Sequence, residues 1–308
     1  MTQSAEDCCD TVEVPPAVMA ATMEQMPTDI VYNILECIAR EERPFLRTTA
    51  LLSRHFRVLS QRLLFRKLRI PIRFTVNSIS LAKPIPTSEE ILGYIKEITI
   101  DLEFGHRDES SDTPDEGLDE VINALETLKL DEIQSLTLKS ETSTTGVWNT
   151  LPKRLSELLV RVCGNTALHT VEFSSAPIHF IPHCRESLKQ LTVKDPACLE
   201  LKVPDATVRT VTSPIHLKSL TIEAGTVIPS QIIKELTDPQ NCIDVQQLEY
   251  LKVATDPQAF PAIRGLLNYA QSLETFEIYL PGMRFHSWEN DFSQRISLLR
   301  PQILPLTL

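Results

Sequence analysis

From residue 95 onward one phrase recurs along the chain: apolar, two residues, apolar, one residue, apolar. It appears as Ile95-x-x-Ile98-x-Ile100, Ile133-x-x-Leu136-x-Leu138, Leu168-x-x-Val171-x-Phe173 and Leu188-x-x-Leu191-x-Val193. Leu217-x-x-Leu220-x-Ile222, Leu248-x-x-Leu251-x-Val253 and Leu273-x-x-Phe276-x-Ile278 bring it to seven copies, with starts 38, 35, 20, 29, 31 and 25 residues apart. One copy arises easily by chance in an apolar-rich chain; seven near a repeat length do not. The period-two alternation predicts short strands whose apolar positions turn to a core and whose intervening positions face away. Those outward positions are Thr99 and Asp101, Thr137 and Lys139, Glu172 and Ser174, and Thr192 and Lys194. Thr221 and Glu223, Lys252 and Ala254, and Glu277 and Tyr279 continue the row.

Between the phrases the period lengthens to that of a helix. Residues 115–128 put Leu118, Val121, Ile122, Leu125 and Leu128 on one face, with acids in the first turn, where they complement the helix dipole. Residues 147–162 do the same with Leu151, Leu155, Leu158, Leu159 and Val162, and 258–270 predict a third helix. Phe285, Trp288, Phe292 and Ile296 stand at helical spacing and predict a helix that closes the last repeat, ended by Pro301 and followed by a tail at 301–308. Strand followed by helix, repeated, predicts an α/β solenoid over 93–300 with a parallel sheet on its concave side. The phrase is the strand signature of leucine-rich repeats, here irregular because the Asn/Cys position after each strand is mostly absent.

Upstream, residues 26–70 read as three short helices. Pro27 suits a first helical turn. Ile30, Ile34 and Ile38 line one stripe, widened by Leu35. Arg43-Pro44 interrupts the pattern. Phe45, Thr49 and Leu52 predict a second helix, and Ser53 caps a third carrying Phe56, Leu59 and Leu63. A unit of this size buries little surface alone and calls for a partner or a neighbouring domain. Residues 71–92, with Pro71, Pro84 and Pro86 between short apolar runs, read as a loosely packed connector. Residues 1–25, polar and acidic, read as a disordered leader.

The 26–70 stretch resembles an F-box. Met26-Pro27 stands where that family has Leu-Pro, and Ile30, Ile34, Leu35 and Ile38 follow at helical spacing. Ala50-Leu51-Leu52-Ser53-Arg54-His55-Phe56 stands where the family has an apolar run, a Ser/Cys-Arg pair and an aromatic. Leu64-Phe65-Arg66-Lys67-Leu68 matches the close seen in many fungal-type members. His55-Phe56 departs from the family's frequent tryptophan: Phe keeps an apolar contact with less area. Degenerate leucine-rich repeats often follow such a box.

The resemblance implies a non-catalytic substrate receptor of a Skp–cullin–F-box ubiquitin ligase. The box would dock on a Skp-type adaptor, and through it a cullin, while the repeats hold a protein substrate near a ubiquitin-loaded conjugating enzyme. It implies adaptor contacts at Pro27, Ile30, Ile34, Leu35, Leu51, Leu52, Phe56, Leu63 and Leu64, of which some must instead form the internal core. Substrate contacts are expected on the outward strand positions Thr137, Lys139, Glu172, Thr192, Lys194, Thr221, Glu223, Lys252, Glu277 and Tyr279. The other reading is a leucine-rich-repeat scaffold without a ligase, its helical unit a mere cap.

Charge sharpens this picture. The chain carries a net charge of −11, so a nucleic-acid partner gains no electrostatic help from it as a whole. Residues 1–26 hold five acids and no Lys or Arg, whereas residues 27–70 hold nine bases against four acids. A basic module on an acidic chain points to an acidic protein partner at that module. Seven cysteines without CxxC spacing, no secretory signal pattern and no apolar run of membrane-spanning length suggest a reduced protein of cytosol or nucleus, without a membrane partner.

No phosphate-cradling glycine loop, GxSxG elbow or HExxH is present, and no cofactor is expected. His179, His183 and Cys184 are the only cluster with metal-like content. A zinc site there would need Cys163 or Cys198 as a fourth ligand, so these residues read as loop positions near a strand end. The acidic, turn-rich segment 105–117 reads as a loop between strand and helix.

Overall fold

The computed structural model describes residues 26–75, 78–104, 117–140, 148, 151–195, 214–223, 232–234, 236, 243–255, 259–279 and 296–299; of 296–299 and of residues 41 and 43 it describes the backbone only. The chain divides into two compact units, Met1–Arg66 and Lys67–Leu308.

The first unit holds α1 (Thr28–Glu41), α2 (Arg43–Thr49) and α3 (Arg54–Phe65). Pro27 precedes α1 with extended backbone, and its carbonyl accepts from the Ile30 and Val31 N–H groups. The break between α1 and α2 falls at Glu42 (φ −132°), one residue before the expected Arg43. Ser53 Oγ accepts from the Phe56 N–H at 3.4 Å, the N-cap expected of it. Val31, Leu35, Leu46, Phe56, Leu59 and Leu63 form the core of this unit. On α1 the buried pair is therefore Val31 and Leu35, not the expected Ile30 stripe. Five apolar positions make an arc wider than two short neighbouring helices cover, so its centre lies inward and its Ile30 edge outward. On α2 the buried residue is Leu46, and Phe45 faces out.

The second unit is mixed α/β and built on a ten-stranded, mostly parallel sheet. Its strands are β1 (Lys67–Phe74), β2 (Ile79–Leu81), β3 (Glu97–Phe104), β4 (Ser135–Ser140), β5 (Thr170–Ser174), β6 (Gln190–Lys194), β8 (Ser219–Glu223), β10 (Tyr250–Ala254), β11 (Thr275–Tyr279) and β12 (Ile296–Leu299). β7 (Ile215–His216) and β9 (Ile243–Asp244) form a separate two-stranded parallel pair. In the large sheet the order is β12-β11-β10-β8-β6-β5-β4-β3-β1-β2, and only the edge strands β2 and β12 run antiparallel to their neighbours.

Each of the seven apolar phrases ends in one parallel strand, and all pair in the same register. Ile98, Leu136, Val171, Leu191, Leu220, Leu251 and Phe276 stand side by side across the sheet. The first residue of each phrase precedes its strand and is buried with the other two. Just after it, the carbonyls of Lys96, Gln134, His169, Lys189, Lys218 and Glu249 each accept two N–H groups from the following phrase. That repeated bifurcated bond locks phrase to phrase before the strands begin.

Helices α4 (Glu89–Tyr94), α5 (Leu118–Glu126), α6 (Lys153–Cys163) and α7 (Phe260–Tyr269) lie between strands in the chain. Their buried positions, such as Val121 and Leu125 of α5 and Leu155 and Leu159 of α6, join the strands' inner positions in one hydrophobic cluster. Gly117 starts α5 at φ 80°, and a Cβ there would sit 1.9 Å from the Ile79 carbonyl oxygen, so only glycine fits. Asn165 is a buried tie between phrases: its Nδ2 donates to the Ile133 carbonyl at 3.0 Å and to that of Leu130, while its Oδ1 accepts from the Ala167 N–H.

Two expectations are corrected. The 71–92 stretch is no loose connector: Ile72, Phe74, Ile79 and Leu92 are buried, and β1 begins at Lys67 and pairs with β3 along its whole length. Pro71 has no N–H to give a sheet ladder, yet it sits inside β1 in register with Asp101, its carbonyl accepting from the Ala82 N–H. Ile296 opens strand β12, paired with β11, instead of extending a closing helix. Phe285, Trp288 and Phe292, the leader 1–25, the loop 105–116 and the tail 301–308 lie outside the described residues. Among the described residues no helix is long and apolar enough to cross a membrane.

Candidate functional site

Two surfaces carry the residues singled out from sequence, one on each unit. On the helical unit, the nine expected adaptor contacts separate into two groups. Pro27, Ile30, Leu51 and Leu52 are exposed, Ile30 at 43%, Leu51 at 78% and Leu52 at 44%. Ile34 and Leu64 are half-buried. Leu35, Phe56 and Leu63 are buried in the unit's own core, so they are corrected from contact residues to packing residues. Phe45, overlooked as a surface residue, is 42% exposed. Its signal was present in sequence: it stands one position before Leu46, and both cannot face inward on a two-turn helix. Among the described residues, the unit's exposed arginines Arg47, Arg54 and Arg57 make no ion pair, whereas Glu36 takes Arg66 at 2.9 Å.

On the sheet, the outward positions form two rows across the parallel strands. One runs Arg69, Thr99, Thr137, Glu172, Thr192, Thr221, Lys252, Glu277; the other runs Pro71, Asp101, Lys139, Ser174, Lys194, Glu223, Ala254, Tyr279. Most expected substrate contacts are half-buried and Tyr279 is exposed, but Glu277 is buried, in register between Lys252 and Ser297. Sequence spacing treats every outward position alike and has no means of finding that cover.

The charges on this face are tied to one another. Lys67 pairs with Glu97 at 2.9 Å and Arg73 with Glu103 at 2.7 Å, while Arg69 Nε reaches Asp101 Oδ2 at 3.0 Å. Lys194 meets Glu172 at 2.9 Å, and Lys252 meets Glu223 at 2.5 Å. The hydrogen bond that Lys252 donates to Glu223 holds its ammonium above the ordinary lysine pKa. Asp101 is fully buried, with Oδ1 lacking a hydrogen-bond partner. Among the described residues of this face, Lys139 is the one cation without an acid partner.

The histidine–cysteine cluster is packed into the fold. His179 lies in the 3-10 turn Ile178–His183, its ring 4.2 Å from that of Phe180. Burial, helped by neighbouring His183, lowers its pKa to about 4, so the imidazole is neutral near pH 7. Cys163, at the end of α6, shares a hydrogen bond with Cys184; that bond and burial raise its pKa well above the ordinary thiol value. Cys198 lies outside the described residues, and among those described no three His, Cys, Asp or Glu side chains are grouped to hold a metal. Trp148 and Phe180 pack edge to face above Phe173, and Trp148 Nε1 donates to the Ser175 carbonyl at 2.9 Å.

No family model, no curated protein and no solved structure matches the chain.

Proposed function

We propose that this chain is a non-catalytic substrate receptor of a Skp–cullin–F-box ubiquitin ligase, its helical unit an F-box and its repeats an irregular leucine-rich-repeat solenoid. The observation that carries the reading is the distribution of exposed apolar side chains. Of the six large ones among the described residues, Ile30, Phe45, Leu51 and Leu52 belong to the small helical unit. Exposed apolar groups concentrated on a unit with so small a core mark a surface that a partner covers. Arg47, Arg54 and Arg57 on the same unit, without an acid partner among the described residues, favour an acidic partner. The in-register phrases support the repeat half of the reading: the same three apolar positions are used for packing in every copy, leaving an ordered polar face for a substrate.

In this mechanism the chain supplies proximity. The adaptor fixes one unit, the sheet's polar face holds the substrate, and transfer to a substrate lysine is done by a ubiquitin-loaded enzyme elsewhere in the assembly. The test is co-purification of the full chain with a Skp-type adaptor beside an Ile30→Ala, Leu51→Ala, Leu52→Ala variant. Stable co-elution, lost in the variant, is the expected result. A folded wild-type chain that elutes without the adaptor would leave the repeat-scaffold reading in its place.

A further inference from the structure

The polar face of the sheet offers unequal opportunities for binding. Its charges are closed into pairs on both sides of a central stretch, and Lys139 stands in that stretch without an acid among the described residues. Around it the hydroxyls of Thr99, Thr137, Ser174 and Thr192 make no hydrogen bond among the described residues. Ser174 is the register neighbour of Lys139 on β5. Adjacent strands lie about 4.8 Å apart, so the ammonium and the Ser174 hydroxyl can both donate to one small anion. Asp101 is the register neighbour on the other side, and Glu172 stands one strand away on the diagonal. Both acids already have basic partners, Arg69 and Lys194.

That setting discriminates between anions. A phosphate ester brings nearly two negative charges and three acceptor oxygens to a place with one free cation and two carboxylates close by. A carboxylate brings one charge and two oxygens, matched by one ammonium and one hydroxyl. We propose that Lys139 is the specificity-determining residue of this face and takes a single side-chain Asp or Glu carboxylate from a partner polypeptide, assisted by Ser174. The inference rests on reading the polar face as the substrate surface and adds the chemistry that the surface selects. Thr137, two residues before Lys139 on β4, and Thr192, two strands away on β6, accept and donate hydrogen bonds, so the residues flanking the acid are polar and uncharged.

The test is panning of the full chain against random peptides displayed on phage and fused through their C-termini, so that no free terminal carboxylate is offered. Enriched peptides are expected to share one Asp or Glu. A synthetic copy should bind Lys139→Ala about tenfold more weakly, and should keep its affinity for Lys139→Arg. Lys153→Ala, which removes the same charge from α6, should leave binding unchanged, and panning on Lys139→Glu should enrich Lys or Arg instead. The proposal is overturned by failure to enrich any sequence, by enriched peptides without a common acid, or by affinity that ignores Lys139. It is equally overturned if replacing the acid with phosphoserine tightens binding. No adaptor enters this experiment. A chain that co-elutes with the adaptor yet enriches no acidic peptide overturns only the carboxylate proposal, and the reverse outcome overturns only the ligase reading.

Discussion

In the helical unit, six side chains from Val31 to Leu63 make the core, while Ile30, Phe45, Leu51 and Leu52 stay exposed. In the sheet unit, all three apolar residues of all seven phrases are buried, and the outward charges are paired with one another almost throughout. The difference follows from size. In the large sheet each phrase lies between neighbouring strands on both sides, whereas three short helices have too little interior to cover what they carry. Substitutions in the sheet unit should therefore act on stability. Those on the exposed apolar positions of the helical unit should act on association and leave the fold alone.

The contrast is most easily broken in the sheet unit's core. Phe173→Ala removes a fully buried ring stacked on Phe180. It should cost about 3–5 kcal/mol in urea unfolding; a loss below about 1 kcal/mol would mean that the phrases are not closely packed.

Acid should come next. His179 is buried neutral, with a folded pKa of about 4, below the roughly 6.5 of an unfolded histidine. Between those values the unfolded chain binds more protons, so stability is full above about pH 6.5 and falls as pH drops toward 4, by up to about 3 kcal/mol. His179→Gln should flatten that part of the stability–pH curve, and an unchanged slope would count against burial of a neutral ring.

Asn165→Ala should cost about 2 kcal/mol, because it leaves the Ile133 and Leu130 carbonyls without their donor. Thermal unfolding of the full chain measures it. The smallest stability change belongs to the helical unit: Leu51→Ala with Leu52→Ala should stay within about 0.5 kcal/mol of wild type while abolishing adaptor co-elution. A large stability loss in that variant would erase the contrast between the units.

Much of the sheet could be read in advance. The phrase fixes strand, face and register at once, since its inner positions repeat and parallel neighbours align them. The start of the sheet was hidden because Phe65-x-x-Leu68-x-Ile70, which has the same spacing, overlaps the end of the helical pattern, and Pro71 follows it. Ile296 misled because one apolar residue can end a helical stripe or open an edge strand equally well, and pairing with β11 decides between them. Of the candidate surfaces, the outward rows were legible. The division of Leu35, Phe56 and Leu63 from Leu51 and Leu52 was not, because periodicity marks an apolar arc without saying how much of it neighbouring helices cover.

Local pattern alone determined that this chain has a helical segment followed by seven like phrases, which positions of each phrase are apolar, and that the 27–70 region is basic on an acidic chain. These properties belong to residues close in sequence. Only the tertiary structure decided that Val31 rather than Ile30 is buried, that Glu277 is covered, and that Lys139 has no acid among the described residues while Lys194 and Lys252 are paired. Such outcomes depend on side chains some 20 to 35 residues apart meeting across adjacent strands or helices. Burial and charge pairing are set by those neighbours, which no single stretch of sequence contains.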